Sequence, residues 1–115
     1  MHGPRSYPKA ARLRRRREFL SLQRAGRRRH TPHLVVIQQP GRTSTTRFGV
    51  TASTRIGNAV VRNRVKRLMR EVFRHHRAAL ASPIDLVVIA KPGADVLTYE
   101  QAAIEFAQAL DLERA

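Results

Sequence analysis

At 115 residues and 13.1 kDa the chain has room for one domain, and 23 Lys and Arg against 8 Asp and Glu give it a formal charge of +15. The sequence contains no cysteine, which excludes a disulfide framework, a thiolate zinc site and a cysteine nucleophile. No apolar run approaches the ~18 to 20 residues of a membrane-spanning helix, and the opening MHGPRSYPKA lacks the apolar stretch of a secretory signal, so the expected location is the cytoplasm.

Hydrophobic residues make up 42% of the chain, enough for a modest core, so the basic excess belongs to a folded domain rather than to a disordered polyelectrolyte. The charge is unevenly placed. Residues 1–77 hold 21 of the basic side chains against Glu18 and Glu71, a local charge of +19, and the remainder carries −4. One part of the molecule is therefore expected to face a polyanion. Apart from Lys9, Lys66 and Lys91, every basic residue is arginine. Arginine grips phosphate through a planar fork and stacks on bases, which favours nucleic acid, although GC-rich coding would also raise the arginine share.

Residues 1–11 carry two prolines, a glycine and scattered charges without periodicity, and read as a flexible basic arm preceding a single domain over 12–115. The run RLRRRREFLSLQR predicts a short basic helix over Arg12 to Arg24, with Phe19, Leu20 and Leu22 apolar and Gly26 as its stop. HLVVIQQ, His33 to Gln39, and TRFGVTA, Thr46 to Ala52, predict two strands, which their small polar connection suggests form an antiparallel hairpin. From Asn58 to about Leu80 the apolar residues Val61, Val65, Leu68 and Val72 recur at helical spacing, widened by Met69 and Phe73. Asn58 is its expected cap, with Gly57 allowing a tight approach from the strand. DLVVIAK, Asp85 to Lys91, predicts a strand apolar enough to be central and covered on both faces. Thr98 and Gln101 have the spacing of a capping box for a last helix, with Tyr99, Ala103, Phe106 and Leu110 on one face.

The order is helix, strand, strand, helix, strand, helix, with room for one further short strand. One sheet with helices packed on it buries every apolar stripe, the layer logic of an α+β domain. The general rule makes its strand-helix-strand crossover right-handed.

The most informative segment is RIGNAVVRNRVKRLMR, Arg55 to Arg70. At about 100° per residue from Val61, residues 65, 68 and 72 stay within about 40°, whereas Arg62, Lys66 and Arg70 fall between about 100° and 180°. Asn63, Arg67 and Arg74 extend that polar side into a strip about three turns long. A basic helix face is often merely solvated, but here the only interleaved acid is Glu71, so the cations repel one another until a polyanion arrives.

The longer string RFGVTASTRIGNAVVRNRVKRLMREVFR, residues 47 to 74, resembles the hallmark of the bacterial ribonuclease P protein component, whose Arg-Asn-Arg core falls on Arg62, Asn63 and Arg64. LRRRREF and DLVVIAKPGADVLTYEQ resemble its first helix and its last strand and helix, so the likeness covers nearly everything beyond the arm. The resemblance implies a subunit of the ribonucleoprotein endoribonuclease that removes the 5′ leader of precursor tRNA. In that enzyme the catalytic groups and the bound Mg2+ are on the RNA subunit, and the protein contributes no catalytic residue and no metal site. It implies a single compact α/β sandwich with one mainly antiparallel sheet, a basic central helix and a left-handed strand-helix-strand crossover, which is followed here over the general rule. It also implies that Arg62, Asn63, Arg64, Lys66, Arg67, Arg70 and Arg74 meet the catalytic RNA. Phe19, Val35, Thr51, Arg55 and Ala90 would line a cleft for the leader between the first helix and the sheet. The implied partners are the catalytic RNA and precursor tRNA, with no membrane and a monomeric protein.

The sequence departs from the family pattern where Gln23 and Val35 stand at positions that are often aromatic, and where Thr54 precedes Arg55 in place of a Lys pair. Arginines 14–17 and 27–29 would then take a larger share of leader binding. A stand-alone nuclease is disfavoured, because the acids are scattered and His75 and His76 point about 100° apart on a helix. His30 and His33 are expected on a surface loop. A structural ribosomal protein or general RNA chaperone shares the size and charge, and only the ordered motif over 47–74 separates them. A helix-turn-helix is weaker still, since the basic helix is flanked by strands.

Overall fold

The computed structural model describes residues 9–13 and 15–112. It comprises α1 (Arg16–Ala25), β1 (Arg27–His30), β2 (Leu34–Pro40), β3 (Arg47–Ala52), α2 (Ala59–His76), β4 (Ile84–Ala90) and α3 (Tyr99–Ala109), with single 3-10 turns at Lys9–Ala11, Arg77–Ala79 and Ala94–Val96. The four strands form one sheet in the order β1-β2-β4-β3. β2 is antiparallel to β1 and to β4, and β3 is parallel to β4, so β3-α2-β4 is the crossover unit.

Chain adjacency misleads at one point. β2 and β3 do not form the expected hairpin, because β4 lies between them and pairs with both. The physical reason is in β4 itself: Leu86, Val87 and Val88 are fully buried, and a strand apolar on both faces needs two strand neighbours and a layer on each side. The hairpin is instead β1-β2, with Arg28 opposite Ile37 and His30 opposite Val35. β1 reads RRRH, which carries no strand signal, yet a charged edge strand resists pairing with other chains.

The start of the chain also differs from expectation. Most of the proposed arm lies outside the described residues, but Ala11 is fully buried, so the packed domain begins by Lys9 rather than at 12. The first helix begins at Arg16, not Arg12, because Arg12 and Leu13 are extended against the free edge of β3, where the Leu13 N–H donates to the Phe48 carbonyl at 2.9 Å.

The sheet has two unlike faces. Leu34, Val36, Phe48, Val50, Leu86, Val88 and Ala90 point toward α2 and α3, meeting Val65, Met69, Val72, Phe73, Ala102 and Phe106 in the main core. There Phe48 stacks on Phe73 with ring centroids 4.5 Å apart and meets Phe106 edge-on at 6.4 Å. On the other face Val35, Ile37 and Val87 form a smaller cluster with Leu13, Leu22 and the half-buried Phe19 and Ile89. α1 is ten residues long and cannot roof this face alone, which leaves a concave strip beside it.

The expected caps are present. Asn58 Oδ1 accepts from the Val61 N–H at 3.0 Å after Gly57, whose φ of 154° few other residues adopt. Thr98 and Gln101 form the reciprocal capping box of α3.

Buried charge ties the layers together. Glu105 of α3 accepts from the Thr31 hydroxyl at 2.6 Å and the His33 N–H at 2.9 Å, with His33 Nδ1 2.6 Å from its second oxygen, so His33 lies in the partly exposed bend before β2 and is tied there to α3, whereas His30 belongs to β1. Burial pushes the Glu105 carboxyl upward, but the bonds from Thr31 and His33 outweigh it and hold the group below its ordinary 4.5. A lowered folded value stabilises the protein above the unfolded value and loses that contribution as pH falls through the folded one. Stability measured by urea unfolding is therefore expected to drop below about pH 4.5, and Glu105→Gln to flatten that part of the profile.

Candidate nucleic-acid interface

α2 carries the densest cationic motif, and its packing fixes which side chains face outward. Its fully or nearly fully buried residues are Val65, Met69, Val72 and Phe73, whereas Val61 and Leu68 are only partly covered. The buried sector thus spans about 20° to 120° from Val61, rotated by roughly a sixth of a turn from the expected one. The rotation comes from the two large side chains, because Met69 and the stacked Phe73 take the sheet contact.

This rotation sorts the expected strip. Asn63, Arg64, Arg67 and Arg70 are exposed together on the outer side of the helix. Arg62 sits in the inward sector at the first turn, with its Nε buried and unpaired by any protein group. Arg64 reaches the Asp95 carbonyl at 3.4 Å, which leans it toward the turn after β4. Arg74 is held by Glu71, donating from Nε at 2.8 Å and from Nη2 at 2.5 Å, and the same contact holds the Glu71 carboxyl below its ordinary value. Arg74 is thus part of an ion pair and not an open cation of the strip.

Lys66 leaves the strip for a second surface. With Arg16, Phe19, Leu20, Gln23, Val50, Thr51 and Ala52 it lines an open concavity of about 490 Å³ between α1, the edge of β3 and α2. Phe19 packs against the strand there: a Cβ on Gly49 would come within 2.4 Å of its Cζ, so the missing side chain at 49 lets the ring approach β3 closely. Of the expected cleft residues, Phe19 and Thr51 line this concavity. Val35 faces the same side but is buried beneath α1. Arg55 is exposed in the turn after β3, outside the lining. Ala90 is a correction: it points to the opposite face and is packed in the main core, because side chains alternate along β4 and its partner Leu34 also faces inward. The additional lining residues Arg16, Leu20 and Gln23 follow from the period of α1 once Phe19 is placed, and Leu20, an apolar side chain 41% exposed, is the most telling of them.

Among the described residues no group of three or more His, Asp and Glu could hold a metal ion. Glu18 is likewise engaged, accepting from Arg47 at 2.6 Å.

An exposed arginine helix beside a cationic concavity floored by an aromatic ring defines an RNA-binding α+β protein. The family described as Ribonuclease P matches residues 7–112. The ribonuclease P protein component of Citrifermentans bemidjiense is 42% identical over 104 residues, covering 90% of this chain and 89% of that protein. The Desulfovibrio desulfuricans ribonuclease P protein component is 43% identical over 102 residues, 85% of this chain and 78% of that one. The solved structure of the Staphylococcus aureus RNase P protein superposes with a TM-score of 0.80 at 29% identity, over 90% of this chain and 94% of that one. That of Thermotoga maritima gives 0.78 at 25% identity, over 90% and 98%. The chain belongs to the ribonuclease P protein family, the protein component of the endoribonuclease that matures the 5′ end of tRNA.

Proposed function

We propose that this protein binds the catalytic RNA through the outer side of α2 and holds the 5′ leader of precursor tRNA in the concavity beside α1. The observation that carries this reading is the division of the cationic motif: Asn63, Arg64, Arg67 and Arg70 face outward, whereas Lys66 turns into the concavity with Phe19. One helix thereby addresses two RNA segments. Arg62 starts the same helix with an unpaired buried Nε, a donor that an RNA oxygen would satisfy.

Phe19 offers a base a partly exposed ring, Lys66 and Arg16 meet phosphates on either side of it, and Thr51 supplies a hydroxyl. Arg55 stands just outside as a further phosphate contact. Val35 supports the ring's face of the sheet from below. The chain's own part in catalysis is to bind and orient RNA; Mg2+ held by the RNA subunit would supply the metal-ion chemistry of the cleavage. No helix among the described residues is long and apolar enough to cross a membrane, and the protein acts as a cytoplasmic monomer until it meets its RNA.

The test is a comparison of precursor and mature tRNA binding to the reconstituted holoenzyme. Phe19→Ala is expected to weaken precursor binding by about 1 to 3 kcal/mol, with mature tRNA binding unchanged. Equal loss for both tRNAs would remove the leader from the concavity. A general RNA chaperone would show no preference for precursor over mature tRNA.

A further inference from the structure

β3 has two ends, and the concavity with Phe19 and Lys66 occupies only the Ala52 end. At the Arg47 end a separate cavity of about 520 Å³ opens between the segment leading into α1 and the loop before β3. Lys9, Arg12 and Arg15 line one wall and Ser44 stands on the other. The one acid among its lining residues is Glu18, whose carboxylate is taken by Arg47. Arg47 is in turn clamped by Asp85 through two bonds of 3.1 and 2.8 Å, so the floor is a closed ion-pair network and the walls carry a surplus of positive charge.

These cations stand on fixed backbone. The buried Ala11 anchors the turn, the Arg12 N–H donates to the Lys9 carbonyl at 3.1 Å, and Leu13 is bonded to Phe48 of β3. Like charges gathered on an ordered scaffold repel one another in the free protein, and an anion relieves that repulsion without paying to order the site. The cavity is rimmed by the solvent-exposed side chains of Lys9 and Arg15, six positions apart, a spread that suits a strand of phosphates better than one buried ion.

We propose that Lys9 and Arg15 form a second phosphate seat, which takes the backbone of a single RNA strand at the opposite end of β3 from Phe19. The inference rests on the reading that the protein binds the catalytic RNA and precursor tRNA. At about 3.3 Å per residue, the ends of β3 are roughly 17 Å apart, about five nucleotides at the ~3.4 Å rise of a stacked strand and fewer for an extended one. A leader long enough to pass Phe19 and run along β3 would reach the seat, and a short one would not. A segment of the catalytic RNA offers the same phosphate chemistry.

The experiment uses holoenzyme reconstituted with the cognate RNA and the variant K9Q/R15Q, which leaves the backbone bonds of the segment in place; K9E/R15E serves as a second variant with a larger expected effect. Binding is measured for two precursors whose leaders differ by about five nucleotides, and for the protein with the RNA subunit alone. Weakening of roughly tenfold or more for the long leader alone, with a smaller salt dependence, supports the seat and assigns it to the leader. The same loss in the affinity for the RNA subunit, equal for both precursors, supports it and assigns it to the catalytic RNA. If both variants bind all three RNAs as the wild type does, the seat is overturned while the Phe19 reading stands. If the wild type itself binds neither RNA, both fall together.

Discussion

Asp85→Ala is expected to destabilise the protein by about 3 to 5 kcal/mol, the usual cost of stripping one partner from a buried ion pair. Asp85 is 1% exposed and accepts both fork bonds of Arg47, itself 13% exposed. The Arg47 guanidinium, raised above its ordinary value chiefly by the bond to Asp85, stays charged at every workable pH, so it cannot escape the loss by releasing a proton. It would be left with Glu18 alone. Because a domain of this size has only about 5 to 15 kcal/mol of stability, Tm should fall by more than about 10 °C. Glu18→Gln should cost less, since Glu18 is partly solvated and Asp85 still holds the arginine. Its effect should appear at the concavity floored by Phe19, because Glu18 ties α1, which carries Phe19, to β3 through Arg47. An Arg47→Met/Asp85→Leu double variant, which removes both charges and keeps apolar volume, is expected to recover much of the loss. Urea unfolding with matched slopes distinguishes these outcomes.

The same triad shows why the sequence discloses some contacts and hides others. Glu18 and Glu71 read as isolated acids among arginines, yet each holds one: Arg47 lies 29 residues from Glu18 along the chain and Arg74 three from Glu71. The second pair follows from helical spacing. The first depends on α1 lying over the start of β3, and the companion pair Arg47–Asp85 on β3 and β4 being parallel neighbours in register; no local pattern encodes either. The hairpin error has the same origin. β-branched and apolar runs identify β2, β3 and β4, and the near-continuous hydrophobicity of β4 even its central place, but pairing follows from which strand must be covered on both faces, a property of the assembled layers.

The site was legible to a similar depth. Helical periodicity placed the cations of α2 on one side, and the family resemblance gave that side its partner. The angle of the strip depended on Met69 and Phe73, whose size turns the helix on the sheet, so Arg62 and Lys66 left the outer face for the inner edges. Ala90 was misplaced by a single residue of register, which in a strand exchanges the faces. The arginine run over 14–17 marks Arg15 as a cation, but the cavity at the start of β3 is not legible from it, because it joins residues 9–15 to a loop more than 25 positions away.

Arg67→Gln/Arg70→Gln is expected to weaken binding to the catalytic RNA by about 100-fold or more at low salt, since each arginine lost removes a charge-assisted bond worth about 1.5 to 3 kcal/mol. The slope of log affinity against log salt should fall by about 0.7 to 0.9 per phosphate contact removed. A change in affinity with the slope intact would mean that these arginines touch bases or shape the helix rather than neutralise phosphate. Arg74→Gln is the internal control. It lies on the same helix and carries the same charge, but its guanidinium already donates to Glu71, so binding RNA would require giving up that partner. Its removal should cost several-fold less than removal of Arg67 or Arg70. Glu71→Gln should then strengthen RNA binding and steepen the salt slope, because it releases Arg74 and deletes a negative charge from the strip in one substitution. Charge count alone predicts equal losses for all three arginines, whereas the geometry predicts that the two exposed ones dominate.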